Sequence, residues 1–327
     1  MLSRVVALTV LPLALLACDP APPSTEADPA PAAASAPAEA GAYLPVPGGR
    51  IWYHRTGSGS GTPALLLHGG PGFPSHYLKP LEALGADRPV VRYDQLGAGR
   101  SGATTDTTLF TIEHFVAELD SLRSALGWER VHVVGHSWGT ILGFEYWRAH
   151  PDRVASLTLA SAALEIPAWL ENTRRLVGTL SDSAQEAIRV REASGEYEAP
   201  DYQAAVAEFY AQYVFRHPVE ADLDSSMAAF NTTLYGYMWG PSEFTATGTL
   251  QGYDATPLLG TIDVPTLYTV GEFDEAGPDV IRRHAAMTPG ARVVEIPGAA
   301  HITTWDNPEA TFQAVKDFLL GVDRGGG

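Results

Sequence analysis

Ser137 lies in the stretch GHSWGT, residues 135–140, and is a candidate nucleophile. The stretch follows the apolar run RVHVVGH (130–136) and precedes a helical run that Pro151 stops. A sharp turn between a strand and a helix exposes the serine hydroxyl, and Gly135 and Gly139 allow the two elements to approach closely. We therefore interpret Ser137 as a nucleophile rather than as part of a simple Gly-Ser turn.

A serine hydroxyl attacks a carbonyl only when a histidine accepts its proton and an acidic group orients that histidine. Asp274, in GEFDEAGPD (271–279), and His301, in PGAAHITTW (297–305), each follow a strand-like run late in the chain. The carboxyl ends of parallel strands meet at one edge of a sheet, where the turn that holds Ser137 also lies. The sequence predicts a catalytic triad of Ser137, Asp274 and His301, with no cofactor and no metal ion.

Stabilisation of the alkoxide that develops in such a reaction requires two backbone N–H groups. One is predicted to come from Trp138, the residue after the nucleophile. The other is predicted to come from Gly70, in the glycine-rich stretch HGGPG (68–72). We interpret His68 in that stretch as a buried structural residue, not a catalytic one.

Three other titratable residues near these motifs are left outside the triad. His284 falls in a helix-like segment with arginine neighbours and is expected to be a solvated surface residue. Asp263 precedes its strand, so it is expected at the wrong edge of the sheet. Asp279 is expected to cap a helix.

The strand-like runs that position these residues are short, β-branched and bounded by Gly or Pro; they comprise residues 63–69, 89–95, 130–136, 154–161, 264–271 and 291–298. Most are continuously apolar, which is typical of strands buried on both faces of a parallel sheet. Between two of them, Leu119, Leu122 and Leu126 recur at helical spacing, with Gly127 at the expected C-cap. The predicted fold class is therefore α/β, with a mostly parallel, doubly wound sheet.

The alternation of strands and helices stops between residues 162 and 255, where apolar residues recur at helical spacing. A helical insertion there would cover the carboxyl ends of the strands, where open α/β sheets bind ligands. We predict a first core segment at 42–161, a helical cap at 162–255, a second core segment at 256–322 and a disordered tail at 323–327.

The N-terminus has the features of an export signal, since Arg4 is followed by an apolar run too short to span a bilayer. This run ends in LLAC, which resembles the bacterial lipobox, where the signal is cut before a cysteine that becomes lipid-modified. Residues 1–17 are predicted to be a lipoprotein signal peptide, and residues 18–41 a Pro/Ala-rich linker after lipidated Cys18. The expectation is an exported bacterial lipoprotein on the periplasmic or cell-surface side of a membrane, attached only through this anchor. An ordinary signal peptide with an incidental cysteine is the alternative.

The composition excludes several classes of function. The formal net charge of −17 argues against nucleic acid as a partner, because a phosphate backbone must be neutralised by basic residues. Cys18 is the only cysteine, so neither an intrachain disulfide nor thiol catalysis is expected.

Several motifs together resemble those of one enzyme family: HGGPG, YDQLGAGRS (93–101), GHSWGT, GEFDE and AAHIT. They are similar to the proline iminopeptidase branch of the α/β-hydrolases, and most similar to its tricorn-interacting aminopeptidases. The resemblance includes the cap segments ASGEYEAPDYQAAVAEFY and GPSEFTATGT. It implies the α/β-hydrolase fold and release of an N-terminal residue, often proline, from short peptides or amino-acid amides.

The resemblance also implies that Glu243, in GPSEFT, and Glu275, in GEFDE, hold the free α-amino group of the substrate. Carboxylates at a fixed distance from the serine would bind the α-ammonium of the substrate and so place the peptide bond after the first residue at Ser137. Each has a structural alternative, since Glu275 could be a loop charge beside the triad acid and Glu243 a solvated turn residue. The chain departs from the family pattern at His136 and Trp138, which are expected to reshape the pocket.

Other functions remain open from the residues themselves. A carboxylester or lactone hydrolase would use the same fold and triad without amine-binding glutamates. A non-catalytic binding lipoprotein could also have this fold. The aromatic residues of the cap could form either a proline-sized pocket or simply the cap's own core; they are Trp169, Tyr210, Tyr237, Trp239 and Phe244.

Overall fold

The structure is a computed structural model that describes residues 40–325. The predicted signal peptide, Cys18 and nearly all of the predicted linker lie outside the described residues. Within the described part of the chain, no helix has the length and apolar character needed to cross a membrane.

An eight-stranded sheet forms the centre of the molecule, in the order β1-β2-β4-β3-β5-β6-β7-β8. β1 and β2 form an antiparallel hairpin at one edge, β2 pairs antiparallel with β4, and the other pairs are parallel. The strands are β1 (Ala42–Val46), β2 (Gly49–Thr56), β3 (Ala64–Leu67), β4 (Val90–Asp94), β5 (Val131–His136), β6 (Val154–Ala160), β7 (Thr266–Gly271) and β8 (Arg292–Ile296). The six predicted strands are confirmed, and the hairpin β1–β2 adds two that were not predicted.

Helices cover both faces of this sheet, so its central strands are buried on both sides. Leu65 and Leu67 of β3 belong to one apolar core, with residues of α1 and α2. Ala64 and Leu66 belong to a second core, with residues of α11 and of the 3-10 segment Ser75–Ala86. The helices are α1 (Ile112–Ala125), α2 (Trp138–Ala149), α3 (Ile166–Val177), α4 (Asp182–Ser194), α5 (Pro200–Tyr213), α6 (Ala221–Ala228), α7 (Thr232–Met238), α8 (Thr256–Leu259), α9 (Pro278–Met287), α10 (Thr303–Asp306) and α11 (Pro308–Asp323). The predicted doubly wound, mostly parallel α/β architecture is confirmed.

The segment between β6 and β7 is helical and contains α3 to α8, of which α3 to α7 fall within the predicted cap at 162–255. Hydrogen bonds tie its backbone to the loops that follow β7 and β8. The carbonyl of Tyr213 accepts from the N–H groups of both Glu275, at 3.3 Å, and His301, at 3.2 Å, and Ile302 N–H donates to Val214 O at 2.8 Å. The end of α5 therefore fixes the two loops relative to each other.

Two expectations at α9 are wrong. His284 is fully buried, not solvated, and its Nε2 lies 3.0 Å from Glu165 Oε2. Helical spacing places it with Ile281 and Ala285 on the side of α9 that faces the sheet, which the neighbouring arginines obscured in the sequence. Asp279 is not the cap, because the N-cap is Gly277 and Asp279 lies in the first turn, paired with Arg282 at 2.7 Å.

Two other boundaries differ slightly from the sequence prediction. The C-cap of α1 is Leu126, and Gly127 is the next residue, with a φ of +70° that suits glycine. The last helix extends to Asp323, whose carboxylate accepts from Arg88 Nη1 at 2.9 Å. The predicted tail therefore starts one residue too early, because this buried arginine holds the helix end.

Candidate active site

Ser137 lies at the turn between the C-terminal end of β5 and the start of α2, with φ +55° and ψ −122°. This is a strained conformation for a residue with a side chain, and strained residues of this kind concentrate at functional sites. A Cβ at Gly135 would lie 2.2 Å from Gly139 O, and one at Gly139 would lie 2.3 Å from Leu67 O. The two glycines are therefore required for the strand and helix to approach closely enough to form the turn.

The structure brings Asp274 and His301 together at the same edge of the sheet. His301 Nδ1 lies 2.9 Å from Asp274 Oδ1, which also accepts from Ala276 N–H at 2.9 Å. Burial alone would raise the pKa of Asp274, but the charge and hydrogen bond of His301 outweigh it and hold that pKa below its usual value. An ionised carboxylate only accepts, so Nδ1 of His301 carries the proton and Nε2 is left as the base.

The two predicted oxyanion donors lie in adjoining segments that a buried hydrogen-bond network joins. Gly70 has φ +102°, and Trp138 begins α2, so its N–H is one of the first four that have no intrahelical acceptor. Trp138 Nε1 donates to Gln95 Oε1 at 2.8 Å, Gln95 N–H donates to His68 Nε2 at 3.0 Å, and His68 Nδ1 donates to Gly69 O at 2.9 Å. These hydrogen bonds hold the backbone of the HGGPG loop against the turn between β5 and α2 that contains Ser137.

His68 has no exposed surface, and burial lowers its pKa to about 4. One nitrogen of its ring donates and the other accepts, which the neutral ring satisfies without a change of protonation. This geometry agrees with the interpretation of His68 as a structural residue of the loop.

A cavity of about 120 Å³ opens above Ser137. Core and cap both contribute to its walls, which are Gly69, Gly70, Phe73, Tyr77, His136, Ser137, Tyr210, Val214, Phe215, Met227, Phe230, Tyr235, Glu243, His301 and Ile302. An apolar cavity of ~150 Å³ takes up one benzene ring, so this volume suits one small side chain or ring. Among the described residues, Glu243 is the carboxyl group that lines the cavity, and no lysine or arginine lines it.

Glu243 and Glu275 form a pair of carboxyl groups at this site. Glu243 lines the cavity and accepts from Tyr235 OH at 2.7 Å, and its backbone carbonyl accepts from Trp169 Nε1 at 2.9 Å. Glu275 is fully buried, and neither of its carboxylate oxygens has a hydrogen-bond partner among the described residues. It does not line the cavity, but it lies close enough to Glu243 for the two charges to interact.

The pKa of each of these carboxyls is raised. For Glu243, burial outweighs the charge of His301 and the hydrogen bond from Tyr235, both of which lower the pKa. For Glu275, burial and then the negative charges of Glu243 and Asp274 all raise it well above its usual value. Two buried carboxyls that repel each other favour a cation between them, since an isolated buried carboxylate is costly.

Comparison with known proteins agrees with this geometry. A family model described as the alpha/beta hydrolase fold matches residues 62–308. The proline iminopeptidase of Heyndrickxia coagulans is 38% identical over 283 residues, which cover 86% of this chain and 98% of that protein. The chain belongs to the proline iminopeptidase family of the α/β-hydrolases.

Solved structures show the same relationship. The proline iminopeptidase of Mycobacterium smegmatis is 32% identical, with a TM-score of 0.80 over 88% of this chain and 100% of that one. VinJ is 31% identical, with a TM-score of 0.83 over 86% of this chain and 99% of that one. The α/β-hydrolase fold with a helical insertion, expected from the motifs, is thus confirmed.

The cap aromatics divide between pocket and core. Tyr210 lines the cavity, and Trp169 packs edge-on against His301 with ring centroids 5.3 Å apart. Trp239 and Phe244 are buried in the apolar clusters, and Tyr237 is 39% exposed and packs against Phe110. All five are aromatic residues of the same insertion, so the sequence alone could not separate the two groups.

Other residues at the site carried no sequence signal. Tyr235 holds Glu243, and Asn231 ties the start of α7 to the HGGPG loop through its N–H, 3.1 Å from Gly72 O. The bond from Asn231 to Gly72 joins residues far apart in the chain, which a local motif does not reveal. Tyr235 lies only eight residues before Glu243, but nothing in the sequence marks it as the partner of that carboxylate. Within residues 40–325, no cluster of three or more His, Cys, Asp or Glu side chains could hold a metal ion.

Proposed function

We propose that this chain is a serine aminopeptidase that releases an N-terminal proline or small apolar residue from short peptides or amino-acid amides. The observation that carries the proposal is Glu275, a fully buried carboxyl beside Glu243 with no hydrogen-bond partner among the described residues. A buried charge of this kind requires a counterion. The α-ammonium of a substrate supplies one at a fixed distance from Ser137.

In the proposed reaction, His301 Nε2 takes the proton of Ser137 Oγ as this oxygen attacks the carbonyl carbon of the first residue. Asp274 holds His301 through Nδ1 and stabilises the imidazolium. The N–H groups of Gly70 and Trp138 donate to the alkoxide of the tetrahedral intermediate. His301 then gives its proton to the leaving amine as the C–N bond breaks, and water hydrolyses the acyl-enzyme by the same steps.

The size and chemistry of the cavity support a single small residue. Its volume of about 120 Å³ and its aromatic wall of Phe73, Phe230 and Tyr210 suit a pyrrolidine ring or a short apolar side chain. The ammonium would lie at the Glu243 end, with Tyr235 fixing that carboxylate. The names of the relatives, proline iminopeptidases, support the same specificity.

Product analysis tests this function. A short peptide that begins with proline is incubated with the enzyme, and the products are followed by mass spectrometry beside the N-acetylated peptide and Ser137→Ala enzyme. We expect loss of the first residue only, from the free peptide only, and with Ser137 intact. Internal cleavage, or equal cleavage of the acetylated peptide, would overturn the proposal in favour of an endopeptidase or an esterase-like hydrolase.

We also propose that the mature protein is a lipoprotein exported to the periplasmic or cell-surface side of a bacterial membrane and anchored through Cys18. The supporting features are Arg4, the apolar run after it and the sequence LLAC, followed by a Pro/Ala-rich spacer. A spacer of this composition would separate the folded enzyme from the membrane surface.

A further inference from the structure

His136 directly precedes the nucleophile, and its ring lies between two of the loops that form the site. Tyr77 OH lies 2.8 Å from His136 Nδ1, and His136 Nε2 lies 2.9 Å from the backbone carbonyl of His301. The ring centroids of His136 and His301 are 4.7 Å apart, and those of His136 and Tyr77 are 5.2 Å apart. His136 therefore contacts both His301, the histidine proposed as the base, and Tyr77, whose hydroxyl is hydrogen-bonded to Gly69 of the HGGPG loop.

The directions of these hydrogen bonds follow from the chemistry of the partners. A carbonyl only accepts, so Nε2 of His136 carries the proton and Nδ1 accepts from the Tyr77 hydroxyl. The oxygen of that hydroxyl in turn accepts from Gly69 N–H at 2.8 Å. Three hydrogen bonds thus run in one direction, from Gly69 N–H through Tyr77 and His136 to His301 O.

The ring is neutral in this arrangement, because burial, with the nearby charge of His301, lowers the pKa of His136 to about 3. Only one neutral tautomer fits both bonds. Tyr77 and His136 are 1% and 5% exposed, so water has little access to compete for these groups.

We propose that His136 and Tyr77 are positioning residues that hold the loop of the base, His301, in register with the oxyanion loop around Gly70. The three bonds are here called the Tyr77–His136 relay. The oxyanion loop follows β3 and the loop of His301 follows β8. Three strands lie between β3 and β8 in the sheet, so these two strands are not hydrogen-bonded neighbours. His136 ends β5, which lies between them. The inference rests on the proposed serine mechanism, though not on the choice of an amine substrate.

The relay bears on rate because the base and the oxyanion donors must act on the same tetrahedral intermediate. A misplacement of about 1 Å in such a site can cost roughly 100-fold in rate. Neither His136 nor Tyr77 is required to touch the reacting atoms for this effect. Their loss should therefore lower kcat and leave KM nearly unchanged.

Two substitutions of His136 each remove one hydrogen bond of the relay and keep the other. In His136→Asn, the side-chain oxygen can replace Nδ1 as acceptor from Tyr77, while the bond to His301 O is lost. In His136→Gln, the side-chain NH₂ can replace Nε2 as donor to His301 O, while the bond from Tyr77 is lost. Tyr77→Phe removes only the hydroxyl and leaves the packing. Controls of the same kind are His132→Gln, a buried histidine at the far end of β5, and Tyr268→Phe, a buried tyrosine bonded to Thr288.

The experiment measures kcat and KM on proline anilide and on a phenyl ester, the rate at which a fluorophosphonate labels Ser137, and the melting temperature of each variant. We expect each relay variant to lose about 10- to 100-fold in kcat and in labelling rate, equally on both substrates, with KM changed by less than about threefold. The double variant Tyr77→Phe/His136→Gln should be no slower than Tyr77→Phe alone, because both break the same link. The control variants should keep the wild-type kcat.

Unchanged kcat in the relay variants, a loss confined to KM, or an equal loss in the control variants would overturn the relay. A relay loss of kcat together with a wild type that cleaves N-acetyl-proline anilide at least as well as proline anilide would support the relay and reject the aminopeptidase. Failure of the fluorophosphonate to label Ser137 in the wild type would reject both.

Discussion

Replacement of Glu275 by glutamine tests whether the buried carboxyl pair recognises an ammonium group. The substitution keeps the shape of the side chain and removes its charge from a fully buried position beside Glu243. Truncation of one partner of a desolvated charge pair costs roughly 2–5 kcal/mol. With about 1.4 kcal/mol for each factor of ten, kcat/KM should fall roughly 30-fold to a few thousand-fold on substrates with a free amine.

The structure places the expected loss toward the lower end of that range at neutral pH. Burial and Glu243 raise the pKa of Glu275 well above its usual value, so an incoming ammonium must first displace a proton from the pair. Binding of the ammonium lowers the pKa of the pair, and protons are therefore released on binding. The loss should grow as the pH is raised toward the pKa of the substrate amine, about 8.

The assay compares proline anilide, N-acetyl-proline anilide and a phenyl ester, with calorimetry of proline amide binding to the Ser137→Ala enzyme in two buffers of different ionisation enthalpy. Glu272→Gln is the matched control, because Glu272 lies in the same loop and is exposed. We expect Glu275→Gln to lose activity on the free anilide only and to release fewer protons on binding. Equal losses on all three substrates would show that Glu275 supports the structure of the site and does not bind the amine.

Three further outcomes are expected. Ser137→Ala should lower kcat on proline anilide by several orders of magnitude while circular dichroism stays unchanged; residual activity within about tenfold of wild type would reject the serine mechanism. Glu118 is buried, and burial raises its pKa to about 8. The folded state is therefore destabilised progressively as the pH rises from the pKa of Glu118 in the unfolded chain to its pKa of about 8 in the folded protein. Glu118→Gln should therefore have a free energy of unfolding a few kcal/mol above wild type at about pH 9 and nearly equal to it at about pH 4; a variant less stable at both would contradict this. Cys18→Ser should appear in the soluble fraction or remain unprocessed, whereas identical soluble fractionation of wild type and variant would reject the lipid anchor.

Much of the fold could be predicted because its strands have a strong local signal. Most of the buried parallel strands are short continuous apolar runs with Gly or Pro near their ends. The hairpin β1–β2 was not predicted, since β1 (AYLPV) contains a proline and β2 (GRIWYHRT) contains two arginines and a histidine, neither of which is typical of a buried strand. The same reasoning explains His284, where charged neighbours at positions 282 and 283 concealed a buried helix face.

The candidate site divides in a similar way. Ser137, Asp274 and His301 could be proposed from sequence because each follows a strand, and a parallel sheet brings such positions to one edge. The environment of Glu275 could not be predicted from sequence, because the burial of its carboxyl group without a hydrogen-bond partner depends on every segment packed around it. The Tyr77–His136 relay joins residues far apart in the chain, and only the folded structure shows that their polar atoms meet.

The most direct test of the proposed aminopeptidase is the ratio of kcat/KM for proline anilide to that for N-acetyl-proline anilide in the wild-type enzyme. The two substrates differ only at the amino group, so binding of the leaving group and the chemistry at Ser137 are held constant. Recognition of an ammonium by Glu243 and Glu275 predicts a ratio of about 30 or more. A ratio of one or below would contradict the proposal that the buried carboxyl pair selects an N-terminal amine.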